Sequence, residues 1–269
     1  MEKLILSRCN LRHVPDSYVL PPECRPGEEE LALLKIIPVI DLGRDRAENI
    51  RHSTNHGVSK KLMSDVLEVA EEFFELLIED KASVYSEDPK RSCRLYTSIE
   101  YDREGALLER QSATPLSSCG RTRSTPARYR ELAGKYSVEV RKLSMLLLEL
   151  IGEGLGLEPG FFKGDELNRH GDGNLITVLL QGPVHGLQVL KDGQWLALRP
   201  LPDAFVVNIG HALQIISNGK LRSTEHQVTT NRTLARTTVV SFISPSKESM
   251  VEPAKEIIKN HNPPLYRSF

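Results

Sequence analysis

The sequence predicts a mainly β fold with flanking helices (α+β), built around an antiparallel sandwich or barrel of the jelly-roll kind. Two stretches before residue 160 repeat apolar residues at helical spacing, whereas short strand-like runs dominate the chain after about residue 172. The dipeptides Asp192-Gly193 and Asn218-Gly219 favour two-residue hairpins. A jelly roll is the arrangement of short strands that gathers side chains from several strands at one open end.

The first half of the chain is helical in character. Residues 34–42 predict a short buried strand, interrupted at Pro38. A helix is predicted from Ser59, which would cap it, on the apolar spacing of Leu62, Val66, Val69, Phe73 and Leu76.

A second helix is predicted after Pro126. Its apolar stripe consists of Leu132, Tyr136, Val140, Leu143, Leu147 and Ile151, and it ends at Gly152, Gly154 and Gly156. A phosphate-binding loop would follow a strand and open a helix, so these glycines favour helix termination.

Short strands fill the last third of the chain. They are predicted at residues 175–180, 187–190, 195–198, 204–209, 213–216, 226–229 and 237–243. Residues 106–124 are rich in Ser, Thr and Arg without either periodicity, and no aromatic residues interleave to stack bases. This segment is therefore predicted to be a solvated loop and not a nucleic-acid patch.

Composition restricts the partners and the compartment. The chain has 269 residues, 39% hydrophobic and 26% charged, and its 35 Lys and Arg nearly balance 36 Asp and Glu. Neither nucleic acid nor a membrane is expected as a partner. Four scattered cysteines contain no Cys-x-x-Cys pair, and no signal peptide or long apolar run is present, so a cytoplasmic protein is expected.

Three residues form a candidate metal site. His170 and Asp172 lie two positions apart at the start of a strand-like run, so both side chains would point to the same face. His226 follows 56 positions later and could complete a two-His, one-carboxylate face, which leaves coordination positions open in Fe(II) oxygenases. On the residues alone, a metal site and an ordinary structural role both remain open.

Arg236 and Thr238 form a candidate carboxylate site. The guanidinium group fits a carboxylate bidentately, and a hydroxyl two residues later on the same strand face can donate a further hydrogen bond. The pair would suit the distal carboxylate of a dicarboxylic co-substrate. The alternative is a strand arginine in a surface ion pair.

An ordered series of motifs resembles the plant 2-oxoglutarate and Fe(II)-dependent dioxygenases. The core motifs are residues 170–181, 186–195, 203–210, 213–219 and 223–226, and residues 37–42 and 55–58 resemble the family's N-terminal region. Residues 172–176, 252–256 and 262–266 are most similar to the hyoscyamine 6-dioxygenase-like members. Deoxymugineic acid dioxygenases and salicylate-hydroxylating relatives are close competitors, and the resemblance implies internal deletions in this chain relative to all of them.

The resemblance implies a double-stranded β-helix core, incomplete here, and assigns residue roles. It implies His170, Asp172 and His226 as iron ligands, and Arg236 with Thr238 for 2-oxoglutarate, where the family usually has serine at the second position. It implies hydroxylation of a small specialised metabolite with O2, release of succinate and CO2, and ascorbate as reductant. An N-terminal region would span residues 1–125, with 106–124 atypical, and a catalytic domain residues 126–269.

Two alternatives accompany this interpretation. The family's tyrosine-bearing stretch before the His-x-Asp motif is missing, which favours a catalytically degenerate member, from a splice form or faulty gene model, with at most a binding role. A cupin-like binding protein or isomerase would share the barrel and a metal, but it gives no reason for the Arg236 and Thr238 pair. The substrate and the oligomeric state are not determined by the sequence.

Overall fold

The computed structural model describes nine stretches of the chain. They are residues 39–42, 52–54, 56–76, 95–101, 107–113, 127–162, 174–229, 234–245 and 250–268. The structural statements below concern these residues.

Two long helices pack against each other and against the larger sheet. Helix α1 spans Lys60–Glu75 and helix α2 spans Ala127–Leu155. The predicted stripes are the buried faces: Val66, Val69 and Phe73 in α1, and Tyr136 and Leu147 among others in α2. A shared hydrophobic core with the strands therefore explains both helices.

The ends of these helices differ in detail from the prediction. Ser59 occupies the N-cap position of α1, but its side chain makes no capping hydrogen bond. Gly152 and Gly154 still belong to α2, and Gly156, with φ of +73°, follows its last residue in the left-handed conformation. Helix termination by glycine is confirmed at Gly156.

The strands form two sheets and a separate hairpin. They are β1 Ile40–Asp41, β2 His52–Thr54, β3 Leu95–Tyr101, β4 Leu107–Ala113, β5 Ile176–Gln181, β6 Leu187–Lys191, β7 Gln194–Ala197, β8 Phe205–Ile209, β9 His226–Val228 and β10 Thr238–Ile243. The order is β1-β2-β8-β5-β10 in the larger sheet and β7-β6-β9 in the smaller one, while β3 pairs with β4. All pairs are antiparallel except β1 with β2.

The two sheets face each other across a small apolar cluster. Leu179 and Val206 come from the larger sheet, Leu187 comes from β6, Leu198 follows β7, and Val228 of β9 packs against them. The opposite face of the larger sheet, including Ile176, Val178 and Phe205, packs on the helices. This layered antiparallel arrangement confirms the predicted mixed fold, and within the described residues the strands do not close a barrel.

Two predicted elements are wrong. Residues 213–216 lie in a short helix, α3 His211–Ile216, and not in a strand. Ala212, Leu213 and Ile216 are its buried residues, and their spacing is helical. An apolar run as short as residues 213–216 does not show in the sequence whether it forms a helix or a strand. In the predicted loop 106–124, residues Leu107–Ala113 form β4. Their sequence has no strand pattern, but antiparallel pairing with β3 provides partners for their backbone N–H and C=O groups.

Turn chemistry explains the connections. Asp192 and Gly193, at φ of 51° and 81°, join β6 to β7 as a two-residue hairpin, as predicted. Asn218 and Gly219 also adopt positive φ, but they follow α3 and do not join two strands.

The C-terminal segment, residues 250–268, packs against α3 and the turn after it. Ala254 N donates to Ile216 O at 3.0 Å, and Leu265 N donates to Asn218 Oδ1 at 2.7 Å. Gln214 of α3 donates its Nε2 to Tyr266 Oη at 3.1 Å, while its Oε1 accepts from Ser223 N at 2.7 Å. One glutamine therefore connects the C-terminal segment with the loop that leads to β9.

Among the helices of the described part, none is both long enough and apolar enough to cross a bilayer.

Candidate functional site

His226 is the described member of the predicted metal triad. It is the first residue of β9, lies opposite Val189 of β6 and is exposed. Its Nδ1 lies 3.3 Å from Thr224 O, and a carbonyl oxygen can only accept. This contact favours the proton on Nδ1 and leaves the lone pair of Nε2 for a metal ion.

The strand alternation places His226 at the margin of the inter-sheet space. His226 and Val228 share a face of β9, and Val228 packs on the apolar cluster between the sheets. The imidazole therefore lies at the exposed end of a row whose other end, Val228, is partly buried. A ligand bound there would meet water on one side and the sheet interior on the other.

Arg236 and Thr238 lie beside Gln181, the last residue of β5. Thr238 is the first residue of β10 and faces Gln181 in the β5–β10 register. Arg236, half-buried, donates from Nη2 to Gln181 Oε1 at 3.1 Å. The guanidinium is thus bonded to Gln181, and Thr238 lies opposite the same residue in the strand register.

The same arginine packs against the start of β6. A Cβ added to Gly186 would lie 3.0 Å from Arg236 Cδ, so the stem of the arginine occupies the space that a side chain at Gly186 would need. Thr229 N donates to Gly186 O at 2.8 Å, which continues the β6–β9 pairing beyond Val228. Gly186 is three residues from Val189, the partner of His226, a separation of about 10 Å along a strand.

The other two predicted iron ligands, His170 and Asp172, lie outside the described residues. The chain two residues after Asp172 is tightly fixed. Asn174 donates its Nδ2 to Thr177 Oγ1, and its carbonyl oxygen accepts from Ala212 N at 3.2 Å. In the described part of the chain, no group of three or more metal-binding side chains comes together.

Three histidines outside the predicted triad, His56, His185 and His211, have surface or supporting positions. His185 and His211 are exposed. His56 is half-buried, its Nε2 lies 3.1 Å from Asp203 O, and its Nδ1 accepts from Val58 N at 3.2 Å.

The environment of His56 keeps its imidazole neutral. Burial lowers its pKa from the ordinary value, although the Asp203 carbonyl and carboxylate oppose the shift. The ring also packs on Phe205, with centroids 4.7 Å apart. This neutral imidazole ties the segment before α1 to the start of β8.

Three residues of the site were missed by the sequence reasoning: Asn174, Gln181 and Gly186. Gln181 had one signal, because it is the polar end of a strand whose five preceding residues are buried. Neither Asn174 nor Gly186 shows a pattern that would identify its contacts in advance.

Two family models match the chain. The 2OG-Fe(II) oxygenase superfamily model matches residues 156–245, and the model described as the non-haem dioxygenase in morphine synthesis N-terminal region matches residues 51–112. The first match spans the metal-ligand candidates and ends beyond Arg236 and Thr238.

Curated relatives cover nearly the whole chain. The 2'-deoxymugineic-acid 2'-dioxygenase of Hordeum vulgare is 35% identical over 95% of this chain and 87% of its own length. Protein DOWNY MILDEW RESISTANCE 6 of Arabidopsis thaliana is 35% identical (99% and 92%), and hyoscyamine 6-dioxygenase of Hyoscyamus niger is 33% identical (98% and 91%).

Solved structures share the fold. A crystal structure of JOX2 in complex with 2OG, Fe and JA superposes with a TM-score of 0.78 at 28% identity, covering 98% of this chain and 89% of that one. The 2-oxoglutarate complex of AtDAO1, the dioxygenase for auxin oxidation 1 of Arabidopsis thaliana, gives 0.67 at 22% identity, over 85% of this chain and all of that one, and supports the fold. The motifs, the layered sheets and these relatives agree, and the chain belongs to the 2OG-Fe(II) oxygenase superfamily as a relative of the plant 2-oxoglutarate-dependent dioxygenases.

Proposed function

We propose that the chain hydroxylates a small specialised metabolite, with His170, Asp172 and His226 as iron ligands and Arg236 with Thr238 as the site for the distal carboxylate of 2-oxoglutarate. The family membership supports Fe(II) and 2-oxoglutarate as cofactor and co-substrate, with O2 as the second co-substrate. It favours this function over the catalytically degenerate alternative.

One observation carries the residue assignment: the spacing of His226 and Arg236 along the β6–β9 pair. His226 lies at the level of Val189 and the stem of Arg236 lies at the level of Gly186, about 10 Å apart. A short dicarboxylate with one end near the imidazole and the other near the guanidinium fits such a separation. Because His226 and Arg236 lie at different levels of the β6–β9 pair, the two carboxylates of the co-substrate would have different partners.

The described donors fit the groups they would hold. The Thr224 carbonyl beside Nδ1 favours the tautomer of His226 that presents a lone pair on Nε2. Arg236 and Thr238 offer N–H and O–H donors beside Gln181, as a carboxylate requires. When bound, iron with 2-oxoglutarate and O2 supplies the oxidant for hydroxylation, with release of succinate and CO2.

The chain's own residues would bind and orient the co-substrate and exclude water from it. The apolar cluster of Leu179, Leu187, Leu198 and Val206 adjoins the inter-sheet space, where a low dielectric strengthens the pairing of a carboxylate with the Arg236 guanidinium. The bonds of Asn174 to Thr177 and Ala212 fix the chain close to Asp172.

Several finer assignments belong to the same proposal. The relatives are named for different compounds, among them hyoscyamine, flavanone and 2'-deoxymugineic acid, so the proposal specifies a class of substrate and no compound. We also propose ascorbate as the reductant, a cytoplasmic location, and the division into residues 1–125 and 126–269. The two family models match on opposite sides of that boundary, which supports the division.

The test is an anaerobic titration of the purified chain with Fe(II) and 2-oxoglutarate, followed by the weak visible absorption band of the chelated complex. We expect the band in the unsubstituted chain, its loss in Asp172→Ala and His226→Ala, and its retention in the matched control His211→Ala, which removes an exposed histidine. Folded protein that never shows the band would contradict the proposed site. Succinate formation that persists in Asp172→Ala would contradict the iron assignment.

A further inference from the structure

The segment that contains Arg236 and Thr238 is held at the end of β5 by the side chain of Gln181 and the backbone of Gly182. Its Oε1 accepts from Arg236 Nη2 at 3.1 Å, and its Cα faces Thr238 in the strand register. The next residue, Gly182, donates its N–H to Thr237 O at 3.0 Å. Residues 236–238, which lead into β10, are therefore tied to Gln181 and Gly182 at the end of β5.

The packing at Gly182 and Gly186 leaves little freedom for these contacts. A Cβ added to Gly182 would lie 2.9 Å from Thr237 O, and one added to Gly186 would lie 3.0 Å from both Arg236 Cδ and Thr229 O. The backbones approach closely on one side of the arginine, and its stem lies against bare backbone on the other. Gln181 meets the guanidinium at its end and contributes to its direction.

The chemistry of that group matters because Arg236 is assigned to an anion. A glutamine carbonyl orients one N–H of the guanidinium and adds no negative charge of its own. A carboxylate in the same place would pair bidentately with the guanidinium and compete with the anionic ligand. The neutral acceptor therefore satisfies both requirements, orientation and charge.

We propose that Gln181 is a positioning residue for 2-oxoglutarate: it aims the Arg236 guanidinium at the distal carboxylate while adding no charge that would compete with it. The inference rests on the proposed function, since it takes Arg236 as the partner of that carboxylate. It assigns a role to a residue that does not itself touch the co-substrate.

The test compares two substitutions of similar size. Gln181→Met removes the hydrogen bond, and Gln181→Glu keeps an acceptor but adds a charge. We expect the Kd for 2-oxoglutarate to rise about threefold to tenfold in Gln181→Met and at least another tenfold in Gln181→Glu. The exposed control Gln194→Glu should leave the Kd unchanged.

A second readout needs neither iron nor 2-oxoglutarate. Thermal unfolding of Gln181→Glu should occur at a higher midpoint than that of the unsubstituted chain, because the new carboxylate pairs with Arg236. The gain should disappear in the Arg236→Gln background. A merely structural role would move stability and binding in the same direction, whereas the proposed role moves them in opposite directions.

The outcomes separate the inference from the function on which it rests. If Arg236→Gln abolishes binding but Gln181→Glu leaves the Kd within twofold, the inference is overturned and the proposed function stands. If the unsubstituted chain unfolds cooperatively but binds no 2-oxoglutarate, the proposed function fails and the role of Gln181 in anion binding fails with it. If Gln181→Met and Gln181→Glu weaken binding equally, the charge argument is wrong.

Discussion

Replacing Gly210 by alanine should destabilise the protein through a direct collision with backbone. Gly210 precedes α3 with φ of −90° and ψ of 170°, angles that alanine adopts without strain, so the collision is the main effect. The added Cβ would lie 2.0 Å from Asn174 O and 2.6 Å from Asn174 C. The neighbouring atoms are largely main chain, and a rotamer change of a flexible side chain cannot relieve the contact.

The cost follows from what must move. Separating Gly210 from Asn174 stretches two hydrogen bonds, Gly210 N to Leu175 O at 2.8 Å and Ala212 N to Asn174 O at 3.2 Å. Overpacking costs about 1–3 kcal/mol, and each weakened hydrogen bond adds up to about 1 kcal/mol. A total of about 2–4 kcal/mol corresponds to a decrease in Tm of roughly 5–15 °C for a chain of this size.

Calorimetry of Gly210→Ala beside Gly134→Ala measures the difference. Gly134 lies within α2 with nothing within 4 Å of an added Cβ, so alanine there should raise stability by about 0.5–1 kcal/mol. Fe(II) binding should weaken only in Gly210→Ala, because Asn174 is two residues from the proposed iron ligand Asp172. A Tm of Gly210→Ala equal to or above that of the unsubstituted chain would refute the reasoning.

Three further substitutions test buried and capping groups. Tyr136→Phe should raise Tm by a few degrees, because among the described residues the buried hydroxyl has no hydrogen-bond partner while the ring keeps its contact with Phe205; a lower Tm in thermal unfolding would reveal a missed partner. Ser59→Ala should change the free energy of unfolding in urea by less than about 0.5 kcal/mol, well below the usual ~1 kcal/mol for a cap, since Ser59 makes no capping bond. Because burial lowers the pKa of His56, its contribution to stability is complete above the unfolded value of 6.5 and is lost as the pH falls through the lower folded value. The urea midpoint should therefore fall on acidification, and His56→Asn, which keeps an acceptor for Val58 N–H, should flatten that dependence; an identical pH profile in the variant would contradict this account.

The sequence was most informative where local rules decide the structure. The stripes of α1 and α2, the Asp192-Gly193 hairpin and the strands β5 to β10 follow from periodicity and turn chemistry, which act over a few residues. The short helix α3 did not follow from the sequence, because the pattern of only four residues, 213–216, fits the period of a helix as well as that of a strand. Its assignment depends on Gly210 and on burial against the C-terminal segment.

Contacts between distant residues were beyond sequence reasoning. Strands β1 and β2 pair in parallel and extend the larger sheet through β8, a join of segments about 150 residues apart. The bond from Arg236 to Gln181 also crosses 55 positions. Arg236 and Thr238 were recognisable as a donor pair by residue type and spacing, whereas the acceptor that orients them belongs to another strand.

Gln214 links the C-terminal segment to the loop before β9, and this link limits which segments could be exchanged with relatives of this chain. Its amide holds Tyr266 on one side and Ser223 on the other, and Ser223 precedes His226 by three residues. A chimera that imports residues 250–268 without matching residues at positions 214 and 218 would lose the contacts of Gln214 with Tyr266 and of Asn218 with Leu265, and with them one restraint on the side chain that binds Ser223. Residues 211–226 and 250–268 therefore form one unit of exchange, although about 25 residues separate them along the chain.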